Sequence, residues 1–348
     1  MMSDTTVARA RTGAPTLHDV AHEAGVSLAT ASRVLNGSTR KVAESYRERV
    51  EGAAARLGYT ANLSAQATAR GTSAIIALLV ADIADPYFGQ IAAGVARGAD
   101  EAGLVVTIAT TERDAEREQR VIHALRGQRP RGIILAASRT ADSDRDDLQS
   151  ELAAIAAGGS RVVVVGPPAD GVRAVTVDNR AGARALGTAL AERGYRNAVI
   201  LAAAEGVRTS DDRIAGFTEG FAASGGEVSR IHRGDFSREA GERMAADALA
   251  EGVESGTVLF GVSDVVAIGA ISGLRAAGRK VGDDVAVAGF DDIPTGRDVT
   301  PSLTTVRVPL GAVGYETFRA ATEASWTEGD TAFDLDVVLR DSTPPRSA

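Results

Sequence analysis

The stretch Thr16–Asn36 reads TLHDVAHEAGVSLATASRVLN, and the organisation of the chain can be worked out from it. Apolar residues at helical spacing predict two short helices, Leu17–Ala24 and Leu28–Leu35. Between them, Gly25 has the backbone freedom that a helix end prefers, and Ser27 can cap the next helix. Two helices around a glycine-containing turn are typical of a helix-turn-helix unit, whose second helix enters the major groove of DNA. An ordinary α-hairpin would have the same spacing.

The neighbouring segments extend this unit in both directions. Apolar side chains at helical spacing predict a third helix over Val42–Leu57, so that residues 16–60 form one headpiece. Residues 61–73 contain a short run of helix formers and are predicted to be a hinge, with a plain linker as the alternative. Residues 1–15 lack the apolar region of a signal peptide and are predicted to be a flexible arm.

The composition limits the possible classes of function. The 348 residues carry a net charge of −8, yet residues 1–72 hold nine Arg and Lys against six Asp and Glu. A basic segment on an acidic body favours local contact with DNA. There is no cysteine, which excludes disulfides and thiolate metal sites. No apolar run approaches the ~18 residues of a membrane helix, so we expect a cytoplasmic, nucleoid-associated protein without membrane contact.

From Ala74 onward, eight short apolar runs alternate with stretches of helical periodicity. Continuous apolar strands separated by helices predict parallel sheets that are covered on both faces. The G-P-P break at Gly166–Pro168 separates the runs into two groups. The sequence therefore predicts an α/β core of two doubly wound parallel sheets in series.

The amino-acid sequence of the headpiece also resembles that of a known family. The letters D-V-A-x-x-A-G-V-S-x-A-T-x-S-R-V-L-N-G at residues 19–37 resemble the DNA-binding headpiece of the lactose/galactose-repressor (LacI/GalR) family. Further motifs of that family occur along the core: V-x-x-D-N-x-x-G-A (175–183), R-x-x-G-F (213–217), G-D-F-S (234–237), G-F-D-D (289–292) and P-x-L-T-T-V (301–306). The resemblance implies a periplasmic-binding-protein-like core over residues 74–342.

The resemblance also implies a division of that core into two lobes. Residues 74–173 and 305–329 would form the N-lobe, nearer the DNA, and residues 176–302 and 333–340 the C-lobe. Residues 343–348 are rich in proline and are predicted to be a loose tail. No heptad pattern follows the core, so the tetramer-forming zipper of some relatives is not expected.

The candidate DNA-binding residues lie mainly on the second helix. The guanidinium of Arg33 can pair with guanine, whereas Leu28 and Ala29, at the family's other reading positions, can offer only apolar contact. Hydroxyl and amide groups nearby suit phosphates. In the hinge, Ala61 and Thr68 stand where the family usually has Pro and a base-wedging Leu. The predicted DNA-binding set is Ser27, Leu28, Ala29, Thr30, Ser32, Arg33, Asn36, Tyr59, Asn62 and Thr68.

The candidate effector-binding residues follow predicted strands, where open parallel sheets bind ligands. Thr209 and Arg213 lie four apart and can face one ligand together. An aromatic ring at Tyr87 or Phe88 could stack on a ligand or pack in the core. The resemblance gives Arg213 the role of gripping the ligand, Phe236 that of stacking, and Asp291 that of accepting hydroxyl or N–H groups. The predicted effector-binding set is Tyr87, Phe88, Thr209, Arg213, Phe236, Asp264 and Asp291, where Asp264 follows Ser263 at the place of a family Asn.

The sequence offers no catalytic group, cofactor motif or metal site. His18 and His22 are four apart, but Asp19 stands where the zinc-protease motif needs Glu. The predicted function is therefore a DNA-binding transcription regulator, acting as a repressor and not as an enzyme. A homodimer would bind a pseudo-palindromic operator, and a small molecule, most simply a sugar, would control it. A purine- or nucleoside-responsive regulator is the alternative, followed by a solute-binding protein and by an enzyme on the same fold.

Overall fold

The computed structural model describes residues 14–35, 42–60, 73–136, 146–167, 171–329 and 332–346. The chain divides into two compact units, Met1–Arg70 and Gly71–Ala348. Within the described residues, no helix is long and apolar enough to cross a membrane. The predicted DNA contacts Asn36, Asn62 and Thr68 lie outside the described residues, as does most of the predicted hinge.

The smaller unit contains three helices, α1 (Leu17–Ala24), α2 (Leu28–Leu35) and α3 (Glu44–Leu57). Their buried faces meet in a small core of alanine and valine, which includes Val20, Ala31 and Val50. The helix α1 begins with a capping box, in which the Thr16 and Asp19 side chains each accept the other residue's backbone N–H. It ends at Gly25, whose φ of 60° is in the left-handed region. The helix-turn-helix unit predicted from the sequence is confirmed.

The larger unit is built from parallel strands and covering helices. Its strands are β1 (Ile75–Val80), β2 (Val105–Thr110), β3 (Gly132–Leu135), β4 (Arg161–Val165), β5 (Arg173–Val175), β6 (Asn197–Ala203), β7 (Glu227–Gly234), β8 (Val258–Gly261), β9 (Ala286–Ala288), β10 (Thr305–Arg307) and β11 (Asp336–Val338). Its helices are α4 (Pro86–Glu101), α5 (Ala115–Arg126), α6 (Asp146–Ala157), α7 (Asn179–Glu192), α8 (Arg208–Ala223), α9 (Arg238–Ala250), α10 (Asp264–Ala276), α11 (Thr295–Asp298) and α12 (Leu310–Thr322).

The first lobe is a parallel sheet in the order β2-β1-β3-β4-β5. Its central strands are apolar on both sides because helices cover both faces. The late helix α12 returns to this lobe and packs against α4. The two backbones approach so closely that a Cβ at Gly94 would overlap the carbonyl oxygen of Gly311. Helix α12 therefore belongs to the first lobe although it follows the second lobe in the chain.

The second lobe is a parallel sheet in the order β7-β6-β8-β9. The strands β10 and β11 form an antiparallel pair beside it, and Thr304 bridges Ala288 of β9. Residues Thr305–Arg307, which were predicted to be in the N-lobe, therefore lie with the second lobe, because their backbone pairs with the end of its sheet. The two parallel sheets predicted from the apolar runs are confirmed.

The prediction of a loose tail over residues 343–348 is wrong for its described part. Thr343 is fully buried, and the carbonyl of Pro344 accepts a hydrogen bond of 2.9 Å from the hydroxyl of Tyr195. The backbone N–H of Arg346 donates to the carbonyl of Arg193 at 2.8 Å, while its guanidinium lies 5.5 Å from the Tyr195 ring. Hydrogen bonds and ring contact fix this segment on the second lobe, which the proline content alone did not indicate.

Candidate DNA-reading surface and candidate effector cavity

The helix α2 presents an outward face that matches the predicted reading surface. Leu28, Ala29 and Arg33 are exposed, whereas Thr30 and Ser32 are half-buried. The Ser27 hydroxyl accepts the backbone N–H of Thr30 at 3.1 Å, which caps α2. The Ser27 and Thr30 hydroxyls also bond to each other at 2.8 Å. An apolar patch and one arginine are therefore accessible together on a capped helix.

Contacts from α3 hold the turn that orients this helix. The guanidinium of Arg49 donates hydrogen bonds to the carbonyls of Ala24 (2.5 Å) and Gly25 (3.1 Å), which are free because α1 ends there. The predicted DNA contact Tyr59 is half-buried and packs against the headpiece core. The described part of the headpiece thus places Ser27, Thr30 and the exposed α2 residues close together, with Tyr59 in a supporting position.

The interlobe cavity lies at the carboxyl ends of the parallel strands, where such sheets bind ligands. Its free volume is about 20 Å³, far below the ~300–1,000 Å³ typical of ligand sites, so a ligand needs the lining side chains to move apart. The first lobe supplies residues after β1 and β2, and the second lobe supplies residues after β6, β7, β8 and β9. The lining residues are Asp85, Tyr87, Phe88, Arg113, Thr209, Arg213, Phe236, Ser263 and Asp291.

Arg213 and Asp291 form a buried ion pair at the second-lobe wall of the cavity. The guanidinium lies 2.8 Å from the carboxylate, and both side chains are less than 5% exposed. Arg213 also donates to the carbonyl of Val262 (2.7 Å) and to the side-chain oxygen of Asn179 (2.9 Å). Its flat face rests on the Phe290 ring, 3.9 Å from the centroid. The guanidinium is held in one orientation from several sides.

The carboxyl groups of the cavity are unusual in their protonation. Burial raises the pKa of Asp291 to about 7, although Arg213 favours the charged form. Burial likewise raises the pKa of Asp85, against the hydrogen bond that its carboxylate accepts from the Tyr87 N–H at 2.9 Å. Asp85 thereby caps α4 while facing the cavity. Asp291 can therefore change between acceptor and donor roles near neutral pH.

Aromatic rings close the sides of the cavity. Tyr87 and Phe88 meet edge to face, with their centroids 5.0 Å apart. The Arg113 guanidinium of the first lobe lies 5.2 Å from the Phe236 ring of the second lobe, within the range of cation–π attraction. An arginine and a ring from opposite lobes therefore meet beside the cavity, so that a ligand would contact both lobes.

Of the predicted effector-binding residues, Asp264 is not among those that line the cavity. Its carboxylate accepts hydrogen bonds from the Thr305 hydroxyl (2.6 Å) and the Ile293 N–H (2.8 Å), and the side chain is fully buried away from the cavity. The reason is local: Ser263 caps α10, accepting the Val266 N–H at 3.4 Å. The carboxylate of Asp264 is directed to Thr305 and Ile293, and Ser263 lines the cavity in its place.

The structure brings the other predicted effector residues together, since Tyr87, Phe88, Thr209, Arg213, Phe236 and Asp291 all line one cavity. Sequence reasoning missed Asp85, Arg113 and Ser263. A usable signal was present, because each of them comes shortly after a parallel strand, at the end where ligands bind. Asp85 also precedes Pro86, which is typical of a capped helix start.

Comparison with known proteins places these two sites in a family. Residues 16–62 match bacterial regulatory proteins of the lacI family, and residues 188–343 match a periplasmic binding protein-like domain. The ribose operon repressor of Halalkalibacterium halodurans is 33% identical over 302 residues, which cover 86% of this chain and 87% of the relative.

Solved structures agree with this result. The transcriptional regulator CelR in complex with cellobiose is 30% identical, with a TM-score of 0.66 over 94% of this chain and 99% of that chain. The lac repressor dimer bound to its operator and the anti-inducer ONPF is 25% identical, with a TM-score of 0.79 over 95% of this chain and 100% of that chain. The predicted fold class is confirmed, and the chain belongs to the lacI family of bacterial regulatory proteins as a DNA-binding transcriptional regulator.

Proposed function

We propose that this regulator is a repressor whose affinity for its operator is controlled by a neutral sugar in the interlobe cavity. This proposal rests on the buried Arg213–Asp291 ion pair, which lies among aromatic rings in the cavity. The charges of Arg213 and Asp291 compensate each other. The pair therefore needs no charged ligand to balance it, and it suits a ligand without net charge. Carboxyl and guanidinium groups can bond several hydroxyls at once, while Phe236 offers an apolar face to a sugar ring.

The relatives support a sugar over a purine or nucleoside. One is named as a repressor of a ribose operon, and another was solved with cellobiose. A purine would also stack on the rings of the cavity, and for that reason it stays the second candidate in the test. No enzymatic activity is proposed, because the relatives are named as a repressor and as a transcriptional regulator.

We further propose that the protein acts as a homodimer on a pseudo-palindromic operator in the cytoplasm. The edge strand β2 leaves Val105 and Ile108 exposed, at 55% and 41%. Exposed apolar side chains on an edge strand favour association with another chain. In a dimer the two α2 helices would read successive major grooves, with Arg33 pairing to a guanine and Leu28 and Ala29 contacting thymine methyl groups.

Thermal-shift measurements test the effector class. The panel contains D-ribose, D-glucose, D-galactose, cellobiose, adenine and adenosine, each added to the full chain. A ligand that binds only the folded state raises the melting temperature by mass action. We expect one sugar to do so in the unsubstituted protein and in Arg184→Ala, which loses a half-exposed arginine outside the cavity. Arg213→Ala should lose the shift. A shift by adenine or adenosine alone would contradict the sugar assignment.

A further inference from the structure

The loop after β9 sends successive side chains into different surroundings. Phe290 lies beneath the guanidinium of Arg213, and Asp291 lines the cavity. The next residue, Asp292, does not line the cavity, although it is also buried. Its carboxylate lies instead among arginines where chain segments pass between the lobes. The contacts of Phe290 and Asp291 with Arg213 and the cavity do not explain why a second acid, Asp292, is buried here.

Asp292 is the common partner of three arginines. Its carboxylate accepts hydrogen bonds from Arg297 (3.2 Å), Arg307 (2.9 Å) and Arg340, while only 2% of its side chain is exposed. Burial alone would raise the pKa of Asp292, but the hydrogen bonds from Arg340 and Arg307 outweigh it and lower the pKa. The carboxylate is therefore charged, and each of these bonds is a charge-assisted one.

Two of these arginines tie the loop to the segments that connect the lobes. Arg307 ends β10, shortly before the chain enters α12 of the first lobe, and Arg340 follows β11, by which the chain returns. Arg340 also donates to the carbonyl of Leu303 at 2.7 Å. The backbone N–H of Asp291 donates to the carbonyl of Val306 at 2.8 Å. The cavity acid and both connecting segments thus share one hydrogen-bonded network.

The backbone of this loop is strained. Asp291 has a φ of 112° and Asp292 a φ of 54°, a region that residues with a side chain rarely adopt. Such conformations persist only where the surrounding structure enforces them, and they concentrate at functional sites. The charge-assisted bonds of Asp292 to Arg307 and Arg340 act on this loop, beside backbone bonds such as the one from the Asp291 N–H to the Val306 carbonyl. They are therefore contacts that can help to enforce it.

We propose that Asp292 is a positioning residue for effector binding. Its bonds to Arg307 and Arg340 hold Asp291 in the left-handed conformation that presents the Asp291 carboxylate to Arg213 and to the cavity. Asp292 thereby sets the affinity for the effector without touching it. The inference rests on the proposed function in one respect, because it takes the effector to bind in the interlobe cavity.

Crystal structures of substituted full-length protein test the positioning directly. In Asp292→Asn, we expect the φ of Asp291 to leave the left-handed region and the 2.8 Å bond to Arg213 to break. An Asp291 that keeps both would overturn the proposal. Arg307→Gln removes one bond from a half-exposed side chain, and we expect it to shift Asp291 in the same direction even if Asp292→Asn does not fold.

Glu316→Gln is the matched control. Like Asp292→Asn, this substitution removes a buried carboxylate. The Glu316 carboxylate accepts hydrogen bonds from Arg319 at 3.0 Å and from the indole N–H of Trp326 at 2.6 Å. Glu316 lies on α12 and does not line the cavity. We expect this variant to lose thermal stability while Asp291 keeps its conformation and its bond to Arg213. A displaced Asp291 in the control would mean that general destabilisation is sufficient, which would overturn the proposal.

A double-mutant cycle separates positioning from general destabilisation. Affinities for D-ribose, D-galactose and cellobiose are measured by calorimetry in four proteins: unsubstituted, Asp292→Asn, Asp291→Asn and the double variant. We expect Asp292→Asn to weaken sugar binding ~10-fold or more in the unsubstituted background, and less than ~2-fold where Asp291 is already Asn. Equal losses in both backgrounds would overturn the proposal. If none of these sugars binds the unsubstituted protein, the sugar assignment fails, and the crystal structures still decide the role of Asp292.

Discussion

The Nη2 atom of Arg213 lies 2.8 Å from Oδ1 of Asp291, with both side chains buried at the wall of the interlobe cavity. Neither charge has bulk water to compensate it, so each depends on the other. The pair therefore behaves as one unit on the second-lobe side of the cavity.

Replacing Arg213 by alanine should abolish the response to the effector while leaving the protein able to bind its operator. The substitution removes a hydrogen-bond donor from the cavity and leaves Asp291 buried without its partner, at a cost of about 3–5 kcal/mol in folding stability. A gel shift with operator DNA, with and without the sugar selected by thermal shift, measures the response. Normal release from DNA by this variant would remove Arg213 from the effector site.

Asp291 should make part of the folding stability depend on pH. Its pKa is 3.8 for the unperturbed group and about 7 in the folded protein, so between these values the folded state holds a proton that the unfolded state has lost. This stabilising contribution is complete below about pH 4 and disappears as the pH rises through about 7. Melting temperatures of the unsubstituted protein and Asp291→Asn from pH 4 to pH 8 should therefore converge or cross. Parallel curves would contradict the shift.

Arg33→Ala should weaken operator binding by ~1–3 kcal/mol, because a bidentate contact to guanine is lost. Binding to mixed-sequence DNA should change much less, since a salt-dependent attraction to phosphates supplies it. The ratio of the two affinities, measured in gel shifts at one salt concentration, isolates base reading from charge. An unchanged ratio would mean that the exposed Arg33 is a solvated side chain and not a reading residue.

Close helix packing in the second lobe leaves no room for a side chain at Gly216. A Cβ at Gly216 on α8 would overlap the carbonyl oxygen of Arg180 on α7. We expect Gly216→Ala to destabilise the protein by about 1–3 kcal/mol, because the two backbones must separate. Gly311→Ala on α12 is the control, since nothing lies within 4 Å of its Cβ position. It should leave the melting temperature unchanged or raise it slightly.

Strong local patterns were sufficient for much of the architecture. The helices Leu17–Ala24 and Leu28–Leu35 have the predicted bounds, because apolar spacing, Gly25 and the Ser27 cap agree with each other. The strand β7 was missed, since Glu227–Gly234 is a largely exposed edge strand containing Arg and His in place of an apolar run. The short strands β10 and β11 depend on pairing with each other, which local sequence does not encode.

The sequence predicted those cavity residues that stand in recognisable motifs. It did not predict those whose place in the lining depends on three-dimensional geometry. Arg213 and Asp291 stand in recognisable motifs and lie together. The sequence did not show that Asp264 lies outside the cavity lining, because the direction of a side chain at a helix start depends on the capping of that helix by Ser263. Arg113 was missed because its neighbour across the cavity, Phe236, is more than a hundred residues away in the chain. Three-dimensional pairing of this kind has no local signal.

The return of α12 to the first lobe dictates an order of events during synthesis. The α4 surface around Gly98, against which Phe318 packs, and the strands β3 to β5 remain uncovered until residues 310–322 have left the ribosome. At ~5–20 residues per second, that wait is roughly 8–31 s after β4 emerges. The second lobe is translated within this interval, so the apolar surface of the first lobe that α12 covers stays exposed on the nascent chain until then.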